Sequence, residues 1–498
     1  YISATNAGSV ANTIINTGSI TTAGSGANGI QVVNGGAVTV INNSGVISAQ
    51  GANSNGIQVT GAANIINSGT ICPSLMIGSN CVAGASGSGN GIQIDNNANA
   101  NRTTITNTSS GVIGAPNGAN YAIYSAQQPG VDIYNYGTIS AANASSTAIN
   151  FAGSTTGGSN NSVTLYGGSS LVGGISFNKG NTQETLNFNS LSNTNLNNSI
   201  TGLNIINAVN NSNVVMNNSS GYELVSGKIN VDGASTLAIT SAIKDQASPT
   251  AAASSITKTG DGALTLSGAN TYTGATNIQA GSIIAGAINT LPATTPLTIS
   301  SGATLQMNGN SQTVASLSGA GSVALGSGIL TTGGSGVSTE FSGIISGSGG
   351  LVKNGVGAFI VSGANTYSGE TAINSGSLIL TGSTTSNTSI AASANLQGSG
   401  VINGNVINSG SITPSFNGAP TNLTINGNYI GNGGNFVGGV YAPASAPVSD
   451  TLTVTGNASG TTGLTITDKG GLGNRTNGNG IPVVIVNGTS TTGAFALN

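Results

Sequence analysis

One short phrase returns along the first third of this chain and limits what the chain can become. An apolar residue, Asn, a small residue and Gly lead into an apolar pair: IINTGSI ends at Ile20, INNSGVI at Ile47, IINSGTI at Ile71 and IYNYGTI at Ile139. A second phrase, NGIQV or a variant, occupies Gly29 to Val32, Gly56 to Val59 and Gly91 to Ile94, with looser echoes in AIY at Ala122 and AINF at Ala148. Its steps are 27, 35, 31 and 26 residues. Self-similarity at such a period is the mark of stacked units that bury their apolar faces only against neighbours.

Inside each period the apolar residues alternate in short runs, Ile30 and Val32, then Val38 and Val40, separated by Gly, Asn or Ser. β-Branched residues at alternate positions suit strands, and the same residues with Gly, Ser, Thr and Asn suit helices poorly. About three short strands per period give one coil of a parallel β-solenoid, with Ile and Val laddered inside and Asn and Thr at corners or outside. The long 35-residue step contains Cys72 and Cys81 in CPSLMIGSNC. A loop inserted into one coil accounts for the excess length. The nine-residue spacing suits a small disulfide loop better than a metal site; a bridge points to an oxidising compartment, and two free thiols are the alternative.

Hydrophobic residues make up 37% of the 498, whereas charged residues make up 4%, a balance opposite to that of disordered chains. The net charge of −3 comes from single scattered side chains, so no basic stripe exists to neutralise a phosphate backbone, and nucleic acid is not an expected partner. No apolar run approaches the roughly 20 residues of a membrane-spanning helix. The chain contains no His, which removes Ser-His-Asp and Cys-His catalysis. Carboxylates remain: Asp95, Asp132, Glu184, Glu223, Asp232 and Asp245 stand alone in sequence, and coil stacking could join Asp95 to Asp132 as a polysaccharide-cleaving pair. GSGANG, Gly24 to Gly29, matches a dinucleotide-binding pattern but lacks the following helix and is expected to be a turn. No metal or cofactor is expected. Asn-x-Ser/Thr triplets such as those at Asn107, Asn143 and Asn422 follow from composition. Tyr121, Tyr124, Tyr134 and Tyr136 form a local aromatic cluster, read either as ladder packing or as a sugar- or protein-contact patch.

A sharper repeat follows. GDGALTLSGANTYTGAT, Gly260 to Thr276, returns as GVGAFIVSGANTYSGET, Gly355 to Thr371, each copy after a lysine, Lys258 or Lys353. IQAGSII from Ile278 and INSGSLI from Ile373 follow them, and FSGIISGSGGL from Phe341 precedes the second. This arrangement resembles the passenger-associated transport repeat of bacterial autotransporters. NGNYIGNGGNFVGGV from Asn426, SDTLTVTGNASGTTGLTI from Ser449 and NGIPVVIVNGTSTTGAFAL from Asn479 are similar to the pertactin-like, autochaperone end of such passengers.

The resemblance implies a right-handed parallel β-helix whose C-terminal cap is sealed by Tyr429, Phe436, Val440, Leu452 and Val454. The repeats divide the first half into N-terminal coils with a disulfide-closed loop near 72–81 (1–159) and irregular Asn-rich coils (160–255), and the resemblance, which covers about residues 256 to 498, adds coils with two transport repeats (256–409) and the cap (410–498). Export through the periplasm to the outer-membrane surface is expected, with the secretion signal before Tyr1 and the translocator barrel after Asn498 belonging to a precursor. The expected function is a non-catalytic adhesin or scaffold rod whose partner is a host or bacterial surface ligand, protein or glycan. The alternatives are a self-assembling filament, coat or sheath, favoured by low charge, and more distantly the polysaccharide-cleaving enzyme.

Overall fold

A computed structural model describes residues 1–6, 11–34, 37–77, 80–82, 89–95, 101–116, 120–126, 130–152, 160–179, 183–246, 253–415, 418–441, 448–470 and 480–497. Asn479, where the last of the quoted C-terminal segments begins, lies outside them. Every regular element among the described residues is a β-strand, nearly all paired in parallel, and the fold is a parallel β-helix. The chain forms two compact units: Tyr1–Leu264 with Asn270–Tyr272, and Thr265–Ala269 with Thr273–Asn498.

In the first unit the NGIQ phrase forms one wall of each coil, and the Asn-x-Gly phrase turns the corner between two others. Strands Ile30–Asn34, Ile57–Thr60, Ile92–Asp95, Ile123–Ser125 and Thr147–Phe151 stack in one wall. Their register aligns Ile30, Ile57, Ile92, Ile123 and Ile149 in a single column. A second wall contains Thr39–Asn43, Ala63–Asn67, Thr103–Asn107, Val131–Asn135 and Ser162–Tyr166. It aligns Ile41, Ile65, Ile105, Ile133 and Val163. A third aligns Ile47, Ile71, Ile113 and Ile139. These side chains are fully buried. Each contributes about 1.5 to 3 kcal/mol through lost apolar exposure. A slip of one residue would turn every column outward, so the alternation fixes the register.

The asparagine of the first phrase lies inside the corner. Asn16 donates its amide to Asn43 at 2.7 Å, Asn43 to Asn67 at 2.8 Å, Asn67 to Asn107 at 2.9 Å and Asn107 to Asn135 at 2.9 Å. Asn43, Asn67 and Asn107 also donate to the carbonyls of Gly45, Gly69 and Gly111, which closes the turn locally. The asparagine of the second phrase works differently: the Oδ1 atoms of Asn28, Asn55 and Asn90 accept the backbone N–H of Asn55, Asn90 and Tyr121, one coil on. Buried amides are tolerated because both ends of each are satisfied.

Strands Leu75–Ile77 and Asn80–Val82, the second of which contains Cys81, pair antiparallel in a two-stranded sheet of their own. A disulfide joins the two cysteines, whose Cα atoms are 5.7 Å apart. Gly114 leaves the space beside it: a Cβ there would lie 3.1 Å from Cys81 Cβ and 3.2 Å from Cys81 Sγ.

The second unit has the same architecture by itself. Phe359, Leu378, Leu396, Ile412 and Phe436 form one column, and Leu351, Thr371, Thr388, Val406 and Tyr429 another. Toward the C-terminus the strands lengthen to Tyr429–Tyr441 and Ala458–Asp468, 13 and 11 residues. Tyr429, Phe436, Leu452 and Val454 are fully buried there, while Val440 is half-buried beside an antiparallel pairing with Ser449. Tyr429 stacks on Phe495 at 5.3 Å, and its hydroxyl meets Thr462 at 2.7 Å and Asn408 at 3.1 Å.

Both lysines that precede the long repeat are interior. Lys258 follows Ile229 in register, and Lys353 lies between Thr332 and Ile373. Their ammonium groups donate to main-chain carbonyls, Lys258 to Thr259 and Gly260, Lys353 to Asn354, Gly355 and Ser375. Burial pushes both pKa values down, that of Lys258 to about 8. The repeat's asparagines share a role too: Asn270 accepts the N–H of Ile243 at 2.7 Å, and Asn365 that of Ile345 at 2.9 Å.

Candidate functional site

With the insides of the coils filled, any contact chemistry falls to the outward positions. The four tyrosines of the local cluster divide between two walls. Tyr121 and Tyr124 lie beside the NGIQ wall, taking the coil positions that Asn90 and Gln93 hold below. Their rings stack with centroids 5.7 Å apart. Below them Gln58 and Gln93 both donate to Asp95 at 2.8 Å.

Tyr134 and Tyr136 lie at the second wall, with Asn135 between them pointing into the corner ladder. Tyr134 stands in register between Thr106 and Thr164. Tyr136 is 37% exposed and stacks on Tyr166, with centroids 3.9 Å apart and planes 13° from parallel. A hydrogen bond to Tyr136, assisted by burial, pushes the Tyr166 pKa up to about 12. Tyr166 was not singled out in the sequence because it lies 30 residues on; the coil period is the signal that connects it to Tyr136.

Asp132 sits beside this aromatic group and is held by Arg102 through two contacts of 2.6 and 2.7 Å, with Ser162 donating at 2.7 Å. Its hydrogen bond to Asp132, opposed by burial, holds the Arg102 pKa above its ordinary value. Asp95 and Asp132 therefore lie in different walls, each engaged by its own donors. Glu184 is buried against the Asn161 backbone and amide, and Glu223 pairs with Lys179 at 2.8 Å. Asp232 caps a turn through the N–H groups of Asn210 and Ala234, and a hydrogen bond from Ser235 leads the lowering of its pKa. Asp245 accepts from Ser254. Among the described residues no three His, Cys, Asp or Glu gather as a metal site. GSGANG forms a turn between strands Ser19–Thr22 and Ile30–Asn34. No helix among the described residues is long and apolar enough to cross a membrane.

The second unit has its own outward feature. Ile407 and Ile430 are 45% and 42% exposed and floor a depression of about 250 Å³ with Glu370, Asn387, Asn405 and Asn428. Asn387, Asn405 and Asn428 accept the backbone N–H of Asn405, Asn428 and Asn457, the arrangement seen for Asn28, Asn55 and Asn90.

Residues 405–498 match the family model of the autochaperone domain type 1, and residues 256–285 and 351–380 match that of the passenger-associated transport repeat. The chain is similar to the Adhesin BmaC autotransporter of Brucella suis biovar 1 (strain 1330), 34% identical over 248 residues. That stretch is 49% of this chain and 7% of the relative. It is also similar to the uncharacterized protein YuaQ of Escherichia coli (strain K12), 32% identical over 158 residues, 30% of this chain and 11% of the relative.

Proposed function

The chain is an autotransporter passenger of the outer-membrane surface, and from that premise we propose that it acts there as a non-catalytic, adhesin-like protein whose outward walls make the contacts. The observation that carries this reading is the outward Tyr136–Tyr166 stack, with Tyr136 exposed, set among Thr and Asn side chains at coil spacing. The interior explains the fold without these tyrosines, so their placement outside points to contact. Tyr121, Tyr124, Tyr134 and Tyr136 belong to this contact surface, divided between two walls. The name of the Brucella relative, an adhesin, supports the same direction.

Display of the chain on a non-adherent bacterium tests the reading: attachment to epithelial cells or to other bacteria should rise above that of cells carrying the translocator alone. Equal attachment would count against adhesion. A second reading, self-association into a coat or filament, is favoured by the near absence of surface charge, −3 in 498 residues. Little repulsion opposes side-by-side packing. Sedimentation of the purified chain across a concentration series distinguishes the two, since a monomer throughout would remove self-assembly.

A further inference from the structure

The Tyr136–Tyr166 stack stands at the edge of an outward column in which Thr106, Tyr134, Thr164, Asn187 and Asn207 follow one another coil by coil. Asn207 donates to Asn187 at 2.7 Å and Asn187 to Thr164 at 3.1 Å, so that part of the column is tied together. Among the described residues the hydroxyls of Thr106 and Tyr134, beside the stack, have no protein partner. The neighbouring charges are spent on each other, since Arg102 and Asp132 form a two-contact pair. The face thus offers aromatic surface, free hydroxyls and no uncompensated charge.

We propose that this face of the first unit, centred on Tyr134, Tyr136 and Tyr166, is a binding site for a neutral glycan. The inference rests on the adhesive reading and narrows it to one ligand class. A sugar ring has an apolar C–H face, which loses water favourably against an aromatic ring, and an equatorial rim of hydroxyls that both donate and accept hydrogen bonds. Tyr136 and Tyr166 supply the first kind of surface; Thr106 and Tyr134 supply hydroxyls on the same side, while Thr164 is buried and engaged by Asn187. Coils follow each other at about 4.8 Å, so a glycan lying along the column meets a side chain of Thr, Tyr or Asn at each coil. An anionic ligand would want a free cation, and Arg102 is engaged. A protein partner would want a contiguous apolar centre, whereas here the apolar groups are separated by Thr and Asn.

The experiment applies the purified full chain to a printed array carrying neutral, sialylated and sulfated glycans, followed by titration of the strongest neutral hit. Binding should fall at least about tenfold in Tyr136→Ala and in Tyr166→Ala, whereas Tyr136→Phe, which keeps the ring, should stay within about threefold. Val356→Ala, at an exposed position of the second unit, should bind as the parent does. Thermal melts matching the parent show that the variants fold. Binding confined to sialylated or sulfated glycans, no binding to any glycan, or neutral-glycan binding that survives Tyr136→Ala would overturn the proposal. The adhesive reading is judged separately: attachment of displaying cells that persists in Tyr136→Ala leaves adhesion standing while this site falls.

Discussion

Asn67 donates its side-chain amide to Asn107 at 2.9 Å although 40 residues separate them. The interval contains the disulfide-closed insertion, and the corner ladder passes it without a break. The insertion leaves the corner undisturbed and touches the stack elsewhere, at Cys72 in register with Ser48 and at Gly114 beside Cys81.

That continuity sets the cost of breaking the ladder. Asn67→Ala removes the acceptor for Asn43 and the donor for Asn107, stranding two buried groups, and should destabilise the chain by roughly 2 to 4 kcal/mol. Asn135 precedes Leu165 in its column, and its own amide goes to the carbonyl of the exposed Ser170 and not to another buried amide. Asn135→Ala should therefore cost roughly half as much. Urea midpoints for the two variants test the ratio, and equal losses would show that the ladder does not act through its neighbours.

Gly114 gives a prediction in which one change repairs another. A methyl group there would crowd Cys81 Cβ and Sγ at 3.1 and 3.2 Å, and Gly114→Ala should lower stability by about 1 kcal/mol through overpacking. Reducing the disulfide lets Cys81 move away. The difference between Gly114→Ala and the parent should then shrink in the presence of a reductant, as read from thermal melts.

Thr332 is 1% exposed, and its hydroxyl has no partner among the described residues. Thr332→Val keeps the shape and removes the unsatisfied group, so stability should rise by roughly 1 kcal/mol. A fall in the melting temperature would mean that the hydroxyl is engaged in solution.

The interior lysines predict an unusual pH response. Burial lowers the Lys258 pKa to about 8, whereas an unfolded lysine titrates near 10.4. Between those values the unfolded chain binds the extra proton, so stability should rise with pH across this window. Tyr166 acts oppositely, because its pKa is raised to about 12 and its stabilising effect is lost as pH climbs beyond the ordinary tyrosine value near 10. Denaturant midpoints from about pH 8 to about pH 9.5 isolate the lysine contribution. Lys258→Met should flatten that slope.

Much of the coil could be read from the residues alone. The steps between NGIQ phrases aligned Ile30, Ile57 and Ile92, because a solenoid converts sequence period directly into spatial neighbourhood. The same conversion was harder to see for single residues. Tyr124 and Tyr134 are close in sequence yet occupy different walls, since the chain turns a corner between them. Tyr136 and Tyr166 are distant in sequence yet stacked. Lysine is ordinarily a solvated residue, and nothing in KTG or KNG announces that its ammonium will fold back onto carbonyls within the coil. The corner asparagines were expected at corners or outside, and the recurring INxG phrase carried their position but not the amide-to-amide contact.

The corner amides all run one way. Asn16 hands a hydrogen to Asn43, Asn43 to Asn67, and so on to Asn135, so each coil shows an oxygen to one neighbour and an N–H to the other. A coil laid down upside down would meet like with like. The row is thus directional, and main-chain groups close it at both ends: Asn16 Oδ1 accepts the N–H of Gly18, and Asn135 hands its hydrogen to the carbonyl of Ser170.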